Sequence, residues 1–397
     1  MTEKNMIKMK KQLAYLLLAA TSLCLWSCSN DDGEAPQLKG TETQVPITIT
    51  FGGAWDTDNA TSRVAPPEQG DGLVNSDISE IEDIDRVRII TFRRKDASVA
   101  GTANGQFVYD PTNDVVTTCE QKDGDQRKEA HAQLVKAYGY EYRVVAIAYP
   151  SAQEGWFDLN TNLDGLTFDE FEMTIKGQET SAAGVFNRDQ NFNSYIKFYK
   201  DIFNVMFTPH FFYGYCHLEN SNDPVIKFGE TEEEKTAPLT GILYRAVAKV
   251  EVNLKVQKYD FYGPYYDIKH AALLMDNVYA KTSMSSYDDF LSPENPYKDK
   301  DIYYTVVDYE ENVPDEGKTM TMTVYVLPTK TKLGLAVYYT VGLTPHTRAA
   351  WFSAKDLSYA DGATGVISPD VHGNEFYFRR NHKYVISGTT NDANFDN

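Results

Sequence analysis

The 397-residue sequence has few side chains that commonly bind metals or act as nucleophiles: four cysteines and seven histidines. The cysteines form no CxxC pair and the histidines are scattered, so no metal or redox site is predicted. The motifs GxSxG, HExxH, GxGxxG and the Walker loop are also missing, which argues against common hydrolases and nucleotide-binding enzymes. We therefore expect no catalytic residue, no cofactor and no enzymatic activity.

Positive charge is also scarce. The chain has 38 Lys and Arg against 57 Asp and Glu, and its formal net charge is −19 at pH 7. An acidic chain repels phosphate backbones, and Arg93–Lys95 is too short a basic stretch to offset that repulsion. Nucleic acid is therefore not an expected partner.

Long apolar runs are missing too. Leu13–Leu25 is apolar but shorter than the ~20 residues that a membrane-spanning helix needs. Basic residues precede it, at Lys4, Lys8, Lys10 and Lys11. A basic start followed by a short apolar stretch predicts a signal peptide over residues 1–27.

Cys28 directly follows this segment, after the small residue Ser27, and "LWSC" is similar to a bacterial lipobox. One interpretation is that Cys28 is acylated and becomes the first residue of an outer-membrane lipoprotein; the other is an ordinary secretory signal with an incidental cysteine. The acidic "SNDDGE" that follows resembles the surface-export signals of Bacteroidetes lipoproteins. A plain tether is the alternative.

Aromatic residues are abundant, at 13% with 27 Tyr, and favour β structure. Period-two alternation predicts strands at Gln44–Gly53, Arg86–Arg94 and Thr240–Gln257, and an apolar centre predicts one at Tyr140–Pro150. Leu163–Ile175 is interpreted as a short helix. The chain is therefore predicted to be mostly β, with two sandwich-like domains and a boundary near the Glu-rich stretch at 230–240.

Two further features leave alternatives open. Cys119 and Cys216 could form a disulfide or remain as separate thiols. The Tyr-rich stretch Tyr259–Asp267, with Tyr262, Tyr265 and Tyr266, could stack on carbohydrate or simply cover the core. The first choice would make the protein a surface glycan-binding lipoprotein, which is the alternative function.

Arg63 lies in a polar, turn-rich stretch, Ala54–Gly72, which predicts an exposed loop open to proteases. A cut after Arg63 would make Val64 the new N-terminus and release Cys28–Arg63 together with its strand. We expect an edge strand here, whose loss leaves unpaired backbone groups and an apolar groove for another chain. The alternative is that Arg63 is a plain loop residue.

These features together resemble the Bacteroidales fimbrillin (type V pilin) family. The resemblance rests on Cys28, on "ITITFGG" followed by "TSRVA", and on "DRVRIITF", "LYRAVAKVEVNL" and "RRNHKYVISG". It implies two transthyretin-like β-sandwich domains with short helices. It also implies attachment to the outer membrane through lipid, cleavage by a trypsin-like Arg-specific protease, and donor-strand exchange with other fimbrial subunits.

On this basis residues 1–27 are the signal peptide, 28–63 the tether and removable strand, 64–235 the N-terminal sandwich and 236–397 the C-terminal sandwich. The tail "GTTNDANFDN" is polar and short, unlike the donor strand expected of a stalk subunit. This favours a tip or minor subunit, with a host or bacterial surface ligand; the alternative is that "FYFRRNHKYVIS" is itself the donor. An anchor subunit should keep its lipid, so a usable Arg63 argues against that role.

Overall fold

The computed structural model describes residues 43–52, 55, 78–96, 105–121, 127–137, 139–158, 163–175, 185–186, 210–229, 231, 234, 236–260, 265–276, 278, 281–283, 304–310, 312–341, 343–360 and 366–393. These residues are mostly in strands, as predicted, and their helices are short 3-10 helices: Ile78–Ile81, Pro111–Asn113, Ser151–Trp156, Phe168–Glu170, Ala354–Asp356 and Thr390–Asp392. None of the described helices is long and apolar enough to cross a bilayer.

The first part of the chain forms one large sheet and some short strands. Its strands are β1 (Thr43–Gly52), β2 (Arg86–Lys95), β3 (Val108–Tyr109), β4 (Val115–Gln121), β5 (Arg127–Lys136), β6 (Tyr140–Tyr149), β7 (Phe157–Asp158), β8 (Glu172–Ile175), β9 (Val185–Phe186), β10 (Phe212–Leu218) and β11 (Leu239–Arg245). The order β2-β4-β5-β1-β11-β10-β6 returns to β2, so the sheet closes on itself. β3 pairs with β2 at Phe92 and Arg93, further along β2 than the residues that pair with β4.

The remaining strands are β12 (Ala248–Lys255), β13 (Tyr259–Asp260), β14 (Tyr265–Tyr266), β15 (Ile268–Met275), β16 (Lys281–Ser283), β17 (Tyr304–Glu310), β18 (Thr319–Val326), β19 (Thr329–Thr331), β20 (Leu333–Val341), β21 (Thr344–Trp351), β22 (Ser358–Tyr359), β23 (Asp370–His372), β24 (Glu375–Phe378) and β25 (Lys383–Thr389). They build a four-stranded sheet, β18-β12-β25-β22, and a five-stranded sheet, β21-β20-β15-β17-β9. Side chains from both sheets share one core, which includes Val252, Leu273, Leu335 and Ile386.

The two most specific sequence motifs lie on neighbouring strands. "RAVAKVEVNL" covers all of β12 but its last residue, "RNHKYVI" includes the first half of β25, and the two strands pair in parallel from Lys249 opposite Lys383. Asn381 takes a left-handed backbone conformation (φ 55°), and its N–H donates to the Val247 carbonyl, which brings β25 alongside β12. β11 belongs to the closed sheet and β12 to the four-stranded sheet. The domain division at 235/236 stays a prediction.

The closed sheet has a core inside it and a second core outside part of it. Inward side chains such as Ile49, Val87 and Val144 form the first core. Outward side chains of β2, β6 and β10 meet a covering segment, residues 157–158 and 163–173, in the second, which includes Phe92, Ile147, Tyr213, Phe168 and Met173. The predicted helix over Leu163–Ile175 is reduced to the 3-10 turn Phe168–Glu170; beyond it, Phe171 and Met173 point the same way two residues apart, as in a strand.

Candidate strand-exchange groove

β1 lies inside the closed sheet, between β5 and β11. It pairs antiparallel with β5 along its full length, from Thr43 opposite Lys136 to Gly52 opposite Arg127. It also pairs in parallel with β11, from Ile47 opposite Leu239 to Phe51 opposite Leu243. The expectation of an edge strand is therefore wrong. Alternation of apolar and polar residues shows that one face of a strand is buried, but it does not show whether the strand pairs on one side or on both. Removing β1 would expose two unpaired ladders instead of one.

The two faces of β1 differ in burial. Val45, Ile47, Ile49 and Phe51 point inward, and none is more than 1% exposed. On the other face, Gln44 and Pro46 are exposed, Thr48 and Thr50 are half-buried, and only the terminal Gly52, which has no side chain, is buried. Pro46 lies before the start of the β11 pairing, where a missing N–H is tolerated because the strand has one neighbour. β1 therefore enters the core from one side only.

A row of small side chains surrounds Ile49. Across the sheet, Cys119 lies opposite Ala130, Ala130 opposite Ile49, Ile49 opposite Gly241, and Gly241 opposite Cys216. A Cβ at Gly241 would lie 2.8 Å from Ile49 Cδ1 and 3.1 Å from Cys216 Sγ. Gly241 therefore gives the branched side chain of Ile49 the room it needs.

Cys119 and Cys216 are separate buried thiols. Cys119 Sγ lies 3.4 Å from the Ile84 carbonyl oxygen, and burial raises its pKa to about 11. Burial also raises the pKa of Cys216, which has no exposed surface. Both thiols are therefore protonated and unreactive at neutral pH while β1 is in place.

A cluster of aromatic and cationic side chains lies at the C-terminal end of β1. The rings of Phe51 and Phe212 are 5.1 Å apart. Three residues after β1, the Trp55 ring lies 3.6 Å from Arg245 Cζ, and Arg245 Nε donates a hydrogen bond to His210 Nε2. Burial and the neighbouring guanidinium hold the pKa of His210 well below its usual range, so its imidazole is neutral and can accept. Sequence reasoning missed this cluster, although an arginine inside the apolar "ILYRAVA" was a signal.

Cys28, Arg63 and Val64 lie outside the described residues, so lipidation and cleavage stay predictions. Tyr262 also lies outside them. The Tyr266 ring is half-buried, 5.4 Å from the Tyr339 ring and against the C-terminal core, which favours the core-covering alternative for the Tyr-rich stretch. Within the described ranges no three His, Cys, Asp or Glu side chains are grouped to hold a metal.

β25, the alternative donor, is an integral strand. It pairs with β12 and β22, and Tyr384 and Ile386 are buried in the C-terminal core. A capping box follows, in which the Asp392 carboxylate accepts from the Thr389 backbone N–H at 2.6 Å. Ala393 then bridges to Phe352. β25 would have to leave two neighbours and a core before it could serve another chain.

Comparison with known proteins gives neighbours by structure alone. No family model matches the chain, and no curated protein matches it. One similar structure is a candidate cell adhesion protein of Bacteroides eggerthii, with 13% identity, a TM-score of 0.36, and coverage of 87% of this chain and 98% of that one. Another is a candidate adhesin of Bacteroides ovatus, with 11% identity, a TM-score of 0.36 and coverage of 82% and 87%.

A third is the tip fimbrial protein Mfa3 from Porphyromonas gingivalis, with C-terminal truncation. Its identity is 11%, its TM-score 0.34, and its coverage 87% of this chain and 94% of that one. TM-scores below 0.5 do not by themselves assign a family or a function to this chain.

Proposed function

We propose that this chain is a structural subunit of a cell-surface fimbria. It is exported as an outer-membrane lipoprotein acylated at Cys28, cut after Arg63 by an Arg-specific protease, and assembled by strand exchange. The observation that carries the proposal is the geometry of β1. It is paired on both sides, inserts its apolar side chains from one face, and directly precedes the stretch that contains Arg63.

Strand addition would fill the groove that the removal of β1 leaves. Backbone groups of β5 and β11 would recover their hydrogen bonds from any extended chain, and pockets for alternate side chains would select its sequence. Each buried aliphatic or aromatic side chain contributes about 1.5–3 kcal/mol. An empty groove would lose the burial energy of four such side chains, so the binding of another strand is strongly favoured. The four are Val45, Ile47, Ile49 and Phe51.

A tip or minor position in the fimbria is the finer proposal. It is supported by β25: donating it would leave its own place beside β12 and β22 and in the C-terminal core unfilled, whereas the place of β1 is refilled by the incoming strand. A tip subunit receives a strand without giving one. Its exposed surface would carry the host or bacterial ligand.

The test uses purified lipid-free precursor and an Arg-specific protease. We expect a single cut with Val64 as the new N-terminus, and no cut there in the matched variant Arg63→Lys. After the cut, a labelled peptide of residues 43–52 should replace the resident segment, whereas the same peptide with Ile49→Asp should not. Cys216 should react with a maleimide only when β1 is displaced. General fragmentation, or a cut chain that never accepts the peptide, would refute the proposal.

A further inference from the structure

Arg245 is a fully buried cation at the end of the groove. It is the last residue of β11 and has no exposed surface. Its guanidinium carbon lies 3.6 Å from the Trp55 ring centroid and 4.8 Å from that of Phe212. Its Nε donates to His210, whose ring stacks on Tyr325 with centroids 4.8 Å apart and planes 4° from parallel. Aromatic rings thus surround the charge.

The electrostatics explain why rings are needed there. Burial lowers the pKa of Arg245 to about 9, and the carboxylate of Glu80 partly offsets this. Glu80 is itself paired with Lys249, 3.0 Å away, and is not dedicated to Arg245. A guanidinium stays charged at neutral pH, and when water is excluded the negative face of an aromatic ring stabilises it.

Trp55 belongs to the segment Cys28–Arg63, whereas Arg245, His210, Phe212 and Tyr325 belong to the body that would remain. Departure of that segment would take the Trp55 ring off the guanidinium. The site would then be a flat slot with a cation at its base and aromatic walls. Its position follows the groove directly, four residues after Phe51 in the strand that now fills it.

We propose that Arg245, His210 and Phe212 form an end pocket that binds an aromatic side chain of the incoming strand. This rests on the proposed strand exchange and adds the chemistry of the partner. The partner is a second polypeptide with alternating apolar residues, the last followed four positions later by an aromatic residue. An aromatic ring is favoured over a carboxylate for two reasons. The ring of Trp55 already lies in the slot at stacking distance from the guanidinium, and the walls of the slot are themselves aromatic rings.

The experiment uses the precursor cut after Arg63 and labelled peptides that compete with the resident segment. The core peptide spans residues 43–52, and the long peptide spans 43–56 and includes Trp55. We expect the long peptide to be incorporated about tenfold more strongly than its Trp55→Ala version. Trp55→Phe should stay close to the original, because Trp55 Nε1 has no acceptor among the described residues. Trp55→Glu should resemble Trp55→Ala.

The outcomes separate this pocket from strand exchange itself. If the core peptide is not incorporated at all, strand exchange fails. If the core peptide is incorporated and the long peptide gains nothing from Trp55, the end pocket is refuted and strand exchange stands. If Trp55→Glu binds as well as or better than the original, the pocket takes an anion, and the aromatic assignment is overturned.

A body variant gives an independent readout. Arg245→Gln should abolish the preference for Trp55 over Ala in the peptide, while the matched change Arg86→Gln, at a partly exposed arginine of β2, should keep it. A preference that survives Arg245→Gln would contradict the role of the guanidinium. If Arg245→Gln does not fold, the peptide series on the unchanged body decides.

Discussion

β1 and β6 are both ten-residue strands of the closed sheet, and each pairs on both sides. They differ in what covers their outward faces. In β6, Val145, Ile147 and Tyr149 point outward and are fully buried beneath the covering segment. In β1, the outward face begins with the exposed residues Gln44 and Pro46. A strand with two buried faces contributes to two cores, and removing it disrupts both. A strand with one buried face contributes to one core, and removing it disrupts only that core.

The covering segment makes this difference. Phe168 packs edge-on against Phe92 of β2, 5.3 Å away, and Phe157 packs against Tyr149 of β6, 5.6 Å away. Removing β6 would strip Phe157 of its partner Tyr149 as well as opening the inner core. Removing β1 would leave them in contact. Under the proposed strand exchange, the closed sheet has a permanent side, at β6, and a replaceable side, at β1.

The largest expected effect comes from truncating one inward residue of β1 and one outward residue of β6. Ile49→Ala and Ile147→Ala should each lower the free energy of unfolding of the uncut protein by about 2–5 kcal/mol, because both side chains are fully buried. Urea denaturation measures both. After cleavage and exchange with an unmodified peptide of residues 43–56, the Ile49→Ala protein should regain its stability.

The Ile147→Ala protein should stay destabilised after the same exchange, since β6 is not replaced. This second variant is the control for the effect of peptide binding on stability. Recovery of both variants, or of neither, would contradict the division into a permanent and a replaceable side.

Gly241→Ala tests the fit between β1 and its neighbour, and should cost about 1–3 kcal/mol because the new methyl group meets Ile49 Cδ1. Ile49→Val deletes that Cδ1, so the double variant should lose less than the sum of the two single losses. The matched control is Gly214→Ala in β10, whose Cβ would lie 2.6 Å from the backbone oxygen of Ile242. Ile49→Val should not rescue it. Strict additivity at Gly241 would mean that Ile49 does not fill this space.

Alternation in "QVPITITFGG" was enough to predict β1 and its buried face, and the continuous apolar centre of "YEYRVVAIAYP" correctly gave β6. The position of β1 between β5 and β11 was not predictable, because partners 75 residues (Gly52 and Arg127) to 192 residues (Ile47 and Leu239) away along the chain leave no trace in local periodicity. The Trp55–Arg245 contact was missed for the same reason. Leu163–Ile175 has helical spacing at its start, but burial against β2 and β6 imposes an extended path.

Acid should weaken the end of the β1 site. Because the pKa of His210 is depressed in the folded protein, the unfolded chain binds a proton there first as pH falls. The neutral, buried imidazole of His210 therefore lowers stability only in acid. The free energy of unfolding is unaffected above the unfolded pKa of ~6.5 and falls below it, by up to about 1.4 kcal/mol per pH unit. His210→Gln keeps a hydrogen-bond acceptor for Arg245 and should flatten the loss of stability between pH 7.5 and pH 5.5, in urea titrations at ~0.5-unit steps.

The control for His210 is His346→Gln, at an exposed histidine of β21. It should leave the pH dependence of unfolding unchanged. Equal flattening by both substitutions would show that the acid sensitivity arises elsewhere in the protein.

The smallest expected effect is on the outward face of β1. Thr48→Val exchanges side chains of the same shape at a half-buried position, and should change the free energy of unfolding by less than about 0.5 kcal/mol. The reverse exchange at the fully buried Val145 of β6 puts a hydroxyl group beneath the covering segment and should cost about 1–3 kcal/mol. Denaturation curves of the uncut protein measure both. If Thr48→Val shifts stability as much as Val145→Thr, something covers the outer face of β1 as well, and no open side remains through which the strand could leave.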